Sequence, residues 1–357
     1  DYSTAGRTTA YKAAINWAPV RDIRFRTTYG QAVRAPNISE LFTASSISSS
    51  WLTDPCNYWN IDNRNTRSEY TKQNCELIKP ENFNTYWLWT PVDYTGNLEL
   101  DVETAKTLTV GVVLQPRFIP NLSLTVDYYD IKLHDAISSF SAQTILDKCV
   151  DQPTLDNMFC KYVHRDPVTN NLIGVEVKRL NLSKFRTRGV DMEANYHFNL
   201  EDIGLGANSG RLAFNVVYTR LIDRDFILDP DVPDTISKTA GTFGSPKWKG
   251  VIRTTYSNGP VTFNWNVRHF SPMRPSSTIT SDKYDVTHTD NVFYHDFYAS
   301  YAWNNLTFYG GLRNAFDKAP PRLPGAEAGG ANFEYTYQAG VYDVIGRTFY
   351  LGLRTKY

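Results

Sequence analysis

Val261–Arg268 reads V-T-F-N-W-N-V-R. Val261, Phe263, Trp265 and Val267 alternate with Thr262, Asn264, Asn266 and Arg268. Side chains of an extended chain point alternately to opposite faces, so this stretch is a strand with one apolar and one polar face. The same pattern recurs outward in both directions. Leu122, Leu124, Val126 and Tyr128 alternate with Ser123, Thr125 and Asp127. Val190, Met192, Ala194, Tyr196 and Phe198 alternate with Asp191, Glu193, Asn195, His197 and Asn199. Leu212, Phe214, Val216 and Tyr218 form a further set, as do Ile23, Phe25 and Tyr29.

The pattern predicts about eleven strands, near 8–18, 22–33, 100–115, 121–134, 183–199, 210–222, 247–257, 260–271, 290–303, 305–315 and 346–357. Their connections alternate in length. Short ones sit at Pro19–Arg21, Pro116–Pro120, Leu200–Ser209, Asn258–Gly259 and Asn304, and long ones cover about 34–98, 135–182, 223–246, 272–289 and 316–345. If neighbours are antiparallel, the short turns fall on one rim and the long loops on the other. Sorted loops, an outward apolar band with aromatics near both rims and a polar interior describe an antiparallel transmembrane β-barrel with short periplasmic turns and long extracellular loops. Tyr11 and Trp17 share one strand face, as do Phe297, Tyr301 and Trp303. The sharpest test of this reading is whether Phe263, Trp265, Leu351 and Leu353 stay outside or are sealed between two sheets.

Composition narrows the function. The 357 residues carry 37 Lys+Arg and 37 Asp+Glu. That neutral balance argues against a nucleic-acid partner, which needs a basic face. Aromatic residues make up 14% of the chain, and no apolar run approaches the about 20 residues of a membrane helix. The four cysteines, Cys56, Cys75, Cys149 and Cys160, have neither CxxC nor zinc-ligand spacing. They predict two local disulfides in an oxidising compartment, with four free thiols as the alternative.

Tyr29–Phe42 reads Y-G-Q-A-V-R-A-P-N-I-S-E-L-F. This closely resembles the R-A-P-x-x-x-E-L-F stretch of TonB-dependent receptors, the active transporters of Gram-negative outer membranes. Glu103–Val113, Asp127–Ile131 with Asp135–Ile137, Arg188–Glu193, Leu312–Lys318 (L-R-N-A-F-D-K) and Gly346–Tyr357 resemble further segments of that family, in order. The resemblance covers essentially the whole chain. It implies a barrel of 22 strands filled by a plug. The eleven strands here are then roughly its C-terminal half, so 1–357 is expected to be the C-terminal portion of the barrel with no plug domain. The last strand, ending at Tyr357, resembles the signal for insertion into the outer membrane. The implied function is capture of a scarce extracellular ligand, an iron-siderophore complex or an oligosaccharide or other nutrient, and its import with TonB-coupled energy. The implied partners are outer-membrane lipid or lipopolysaccharide, the TonB-ExbB-ExbD complex acting through the missing N-terminal part, and the ligand itself. A passive outer-membrane pore or adhesive barrel is the alternative, followed by a secreted all-β carbohydrate-binding protein.

No catalytic set, cofactor site or metal site emerges, so the chain is read as a non-enzyme. The candidate ligand residues are Trp51, Tyr58, Trp59, Tyr86, Trp87 and Trp89, all in the first long loop. Their flat apolar faces beside polar residues suit a sugar ring or an aromatic chelate; the competing role is packing the loop's own core. Arg34, Pro36, Asn37 and Glu40 match the family motif and are expected to brace the exit from strand to loop. Gln143–Val150 is expected to form a short helix, and Ser45–Ser50 a flexible polar stretch. His164-Arg165-Asp166 has the spacing of a kinase catalytic loop, but no phosphate-binding glycine loop accompanies it. Arg165 and Asp166 are instead expected to form a solvated ion pair.

Overall fold

The computed structural model describes residues 2, 6–56, 68–78, 88–227, 236–274, 287–321 and 341–355. In chain order the strands are β1 (Tyr11–Val20), β2 (Ile23–Arg34), β3 (Ser46–Leu52), β4 (Leu88–Thr95), β5 (Glu103–Leu114), β6 (Ser123–Ser139), β7 (Val163–Arg165), β8 (Leu172–Asn199), β9 (Arg211–Ile227), β10 (Ile236–Lys238), β11 (Trp248–Asn258), β12 (Val261–Phe270), β13 (Val292–Trp303), β14 (Leu306–Arg313) and β15 (Thr348–Thr355). Among the described residues three short α-helices join them: α1 (Ile38–Phe42), α2 (Glu69–Ile78) and α3 (Ala142–Val150). Among the described residues no helix is long and apolar enough to cross a membrane.

Eleven strands follow one meander, β1-β2-β5-β6-β8-β9-β11-β12-β13-β14-β15, with β1 and β15 as its open edges. Every neighbouring pair along it is antiparallel. The five short connections therefore lie on one rim and the five long ones on the other. Where a turn has only two residues the chain must reverse sharply. At Gly259-Pro260 glycine supplies the positive φ of 52° that a side chain disfavours.

Register carries the alternation across the sheet. Ile15, Thr27 and Val110 lie side by side, then Tyr128, Val190 and Arg220. On one face, β12 and its neighbours align Thr254, Trp265, Phe297 and Leu312. On the other they align Asn215, Arg253, Asn266 and Asp296. Phe263 and Trp265 are exposed on the apolar face, as are Leu351 and Leu353 at 86% and 57%. A sandwich would have buried all four. The polar face is cross-linked instead. Arg26 of β2 donates to Asp127 of β6 from its Nε at 2.8 Å, reaching across β5. The strand crossed has Gly111 at that point, where a Cβ would sit 1.8 Å from Asp127 Oδ1. Glycine is required there by the close approach. Arg268 and Asp296 pair on the same face, with Nε–Oδ2 at 2.7 Å and Nη2–Oδ1 at 3.0 Å.

The strands on the long-loop side outrun the expected boundaries. β6 continues to Ser139, β8 begins at Leu172 instead of near 183, and β9 continues to Ile227. Past the apolar band neither face must be greasy, so alternation fades while ladder hydrogen bonds persist: Ile137 still pairs with Asn181 and Ser139 with Arg179. At the other end of the chain, β15 stops at Thr355, and Lys356 and Tyr357 lie outside the described residues.

Candidate functional site: a cap on the long-loop rim

The first two long connections, expected as loops, fold together into a small cap. Ser46–Leu52 is not a flexible stretch but strand β3, antiparallel to β4. β4 pairs in parallel with the extended start of β8, and β7 pairs with β8 on its other side. The inner face of this second sheet presents Leu52, Val92, Val175 and Val177. Against them pack Phe140, Ile145, Leu146 and Val150 from the α3 segment, and Phe159, whose ring meets Phe140 edge-on at 5.1 Å. α3 forms because its apolar residues recur at helical spacing and because Ser141 caps its start, accepting from the Thr144 N–H at 3.1 Å.

Cys56 bonds to Cys75 and Cys149 to Cys160, with no free cysteine left. The bridges close spans of 19 and 11 residues. In the chain-entropy account each contributes about 3 kcal/mol. Each lies inside one connection, so neither ties the two connections to each other. That task falls to hydrogen bonds and one ion pair. Gln143 exchanges two bonds with the Thr53 backbone, both 2.9 Å. Asn74 donates to the carbonyls of Val150 and Gln152 at 2.9 and 2.7 Å. Arg165 makes a two-pronged contact with Asp54 at 2.7 and 2.8 Å, with side chains 13% and 2% exposed. The expected solvated Arg165–Asp166 pair is thus corrected. Arg165 turns inward to a partner 111 residues away. Asp166 instead accepts from the backbone N–H groups of Thr169 and Val168, which hold its carboxyl below the ordinary range.

The motif Arg34, Pro36, Asn37 and Glu40 sits where β2 leaves the wall. Asn37 and Glu40 form a reciprocal cap on α1, each side chain accepting from the other's backbone N–H at 2.8 Å. Arg34 donates to Glu40 at 3.0 and 3.2 Å and to Glu103 at 2.5 Å. Glu103 in turn accepts from the Ile137 N–H at 2.8 Å. One guanidinium therefore joins β2, α1 and β5, and through Glu103 the top of β6. Pro36 follows the strand after Ala35, and its missing N–H keeps the ladder from continuing. Burial pushes Glu40 up, but the Arg34 guanidinium and the Asn37 N–H outweigh it and hold the carboxyl below its ordinary value. A carboxyl lowered by folding contributes stability above its unfolded pKa and loses that contribution as pH falls through the folded one. Corrected amide exchange in α1 should accordingly be unchanged from pH 7 to 5 and rise only below about pH 4. Loosening already between pH 7 and 5 would contradict this origin.

Of the six candidate ligand aromatics, Tyr58, Trp59, Tyr86 and Trp87 lie outside the described residues. Trp51 and Trp89 are brought together as a cross-strand pair, ring centroids 4.9 Å apart and tilted by 65°. They do not pack the cap's core: both stay about three-fifths open, at 60% and 59%. Ile47 is exposed on the same face, and Asp93 lies beside Glu176, whose carboxylate pairs with Lys178 at 2.9 Å. The outer face of the cap thus offers two indoles at one end and fixed charges at the other. Among the described residues no cluster of His, Cys, Asp and Glu could hold a metal ion. The sequence missed Asp54, the partner that fixes Arg165, and Glu103, the second anchor of Arg34.

An antiparallel wall with loops sorted by length, a polar cross-linked face and a folded cap on the long-loop rim has the architecture of an outer-membrane receptor barrel. The family model described as TonB dependent receptor-like, beta-barrel, matches residues 1–315. The chain belongs to that family. No curated protein sequence matches the chain. Among solved structures, a variant of the ferric enterobactin receptor PfeA of Pseudomonas aeruginosa aligns with TM-score 0.60 and 14% identity over 99% of this chain. The siderophore receptor PirA of Acinetobacter baumannii gives TM-score 0.60 and 11% identity over 99%. A PfeA variant in complex with enterobactin gives 0.58 and 15% over 97%. At these identities the likeness shows the fold. The chain spans about two fifths of each, 41%, 41% and 40%.

Proposed function

We propose that residues 1–357 are the C-terminal portion of the barrel of an active-transport receptor, crossing a Gram-negative outer membrane many times. The apolar strand face meets lipid hydrocarbon and the polar face lines the lumen, because strands buried in lipid must satisfy every backbone group through a closed ladder and turn their polar side chains inward. The cap receives the ligand. The observation that carries this is the open Trp51–Trp89 pair on a cap whose rigid core and two disulfides hold it over the rim. Indole planes supply flat apolar area at small entropic cost, and the charges beside them set orientation. The ligand class is a metal chelate with aromatic rings or a sugar-like nutrient. Import draws on TonB-ExbB-ExbD through the part of the receptor outside this sequence, as in the family.

The test uses the full-length receptor with ferric catecholate chelates and oligosaccharides as probes. The double variant Trp51→Ala/Trp89→Ala should keep the folded barrel but bind its ligand at least about thirtyfold more weakly, as for a central aromatic pair worth about 2 kcal/mol. Unchanged affinity would remove the pair from the site. Uptake that persists in cells lacking TonB would favour a passive pore.

A further inference from the structure

The small sheet of the cap runs β3-β4-β8-β7, so β3 and β7 are its edges. An edge strand presents a row of unpaired N–H and C=O groups, and proteins guard such rows by shortness, charge, proline or a cover. Among the described residues of the long-loop rim, the other free edges obey this. β7 and β10 have three residues each, and each carries a cation, Arg165 and Lys238. β3 has no such guard. Its seven residues, S-I-S-S-S-W-L, include no charge and no proline, and Ser46 to Ser49 are exposed without a break.

Packing beneath the sheet leaves this strand as a ledge. Ser48 and Ser50 align with Val92 and Thr90, both buried, yet Ser48 stays exposed. The apolar cluster under the cap covers β4 and reaches β3 only at Leu52. Serine side chains are small, so the backbone between them is open on both faces. On the outer face β3 presents Ile47, Ser49 and Trp51, with Asp93, Pro91 and Trp89 behind them. Glu176, the next carboxylate, is held by Lys178. Asp93 accepts from the Ser45 hydroxyl at 2.6 Å but forms no ion pair among the described residues.

We propose that β3 is a docking strand for an extended polypeptide, which joins the sheet antiparallel to β3 with an aromatic side chain beside Trp51 and an arginine beside Ile47. Alternate side chains of a strand point the same way, so these two stand four residues apart, the aromatic first. The aromatic packs cross-strand on an indole that is 60% exposed. The arginine passes over Ile47 to Asp93, two strand spacings or roughly 10 Å away, and supplies the cation that carboxylate lacks. Main-chain bonds to the unguarded edge hold the partner, and the two side chains select it. Only the cap sheet is needed for this, not the import reading.

The test is a fluorescence-anisotropy titration of the full-length receptor in detergent with the labelled probe acetyl-TWTSTRT-amide. Two N-methylated forms accompany it, one blocked at the Trp, Ser and Arg amides, the other at the Thr amides that alternate with them. One set of amides faces β3 and the other faces away. One form should therefore bind at least about thirtyfold more weakly, and the other within about threefold of the parent. Exchanging the probe's arginine for glutamine should weaken binding about tenfold in the wild type and leave it unchanged in Asp93→Asn, which keeps an acceptor for Ser45. Exchange of the β3 amides should slow when the probe binds, with the wall unaffected. Equal behaviour of the two N-methylated forms, a glutamine loss of the same size in Asp93→Asn, or no saturable binding overturns the proposal. So do β3 amides already protected before the probe is added, which would mean that another part of the receptor covers the edge. Receptor self-association that the probe competes away would assign the edge to a second copy and overturn the peptide. Nutrient uptake by a receptor that binds no probe would sink the docking strand and leave the import reading standing.

Discussion

Asp54→Ala is expected to detach the two halves of the cap from each other while leaving the barrel wall folded. The substitution leaves the Arg165 guanidinium only 13% exposed and without its carboxylate, and its Nε already has no hydrogen-bond partner among the described residues. Breaking a buried pair from one side costs about 3–5 kcal/mol, because the remaining charge stays desolvated. The disulfides cannot compensate, since each closes inside a single connection. Proteolysis of the full-length receptor at 46–95 and 140–171 should therefore accelerate by two orders of magnitude or more, as the open state gains about 3 kcal/mol in relative population. Wall strands should stay protected. Replacing both partners together, Asp54→Leu with Arg165→Met, should restore most of the resistance, because no charge is left buried. Equal protease resistance in Asp54→Ala and wild type would show that the apolar cluster alone holds the cap.

Arg34→Ala is the second large effect, and its pH dependence is diagnostic. Glu40 and Glu103 have side chains only 7% and 9% exposed, and both lean on the one guanidinium. Without it two neighbouring carboxylates stay desolvated, with only the charge of Arg179 still acting on Glu40. Arg34 itself is 45% exposed, so water already screens part of the interaction. The expected cost is therefore near the lower end for such pairs, about 2–3 kcal/mol. It should appear as loss of amide protection in α1 and at the top of β5. In the wild type Glu40 is held below its ordinary value, so acid removes stability. In the variant the Arg34 contribution is gone and only the Asn37 N–H and the charge of Arg179 are left to offset burial, so Glu40 rises from its wild-type position and acid should remove less protection than in the wild type. Exchange that rises steeply below about pH 4 in the wild type but much less in the variant would establish the ion pair as the brace. Parallel curves would assign the bracing to Asn37 and Pro36 alone.

The two results probe different levels of legibility. The Arg34 brace was half visible: Arg34, Pro36, Asn37 and Glu40 stand within seven residues, and the spacing of Asn37 and Glu40 is that of a local cap. Glu103 was not visible, because it lies 69 residues on and nothing local marks it as an anchor. The Asp54–Arg165 pair is not legible in the sequence. Arg165 has an acidic neighbour in sequence, and the nearer partner is the natural inference until the fold supplies a buried one. The aromatic residues of the first connection were recognisable as special. That Trp51 and Trp89 face outward together, rather than filling the cap's core, depends on which side of β3 and β4 the rest of the cap covers.

What the sequence determined by itself was the wall. Alternation with period two is a local property, so eleven strands and the sorting of their connections by length are legible along the chain, while their antiparallel direction is set by pairing. The tertiary structure alone decided the cap. Its parallel pairing of β4 with β8 and its buried ion pair join segments 83 and 111 residues apart. Many partners are chemically equivalent at such separations, and only simultaneous packing of all of them selects one.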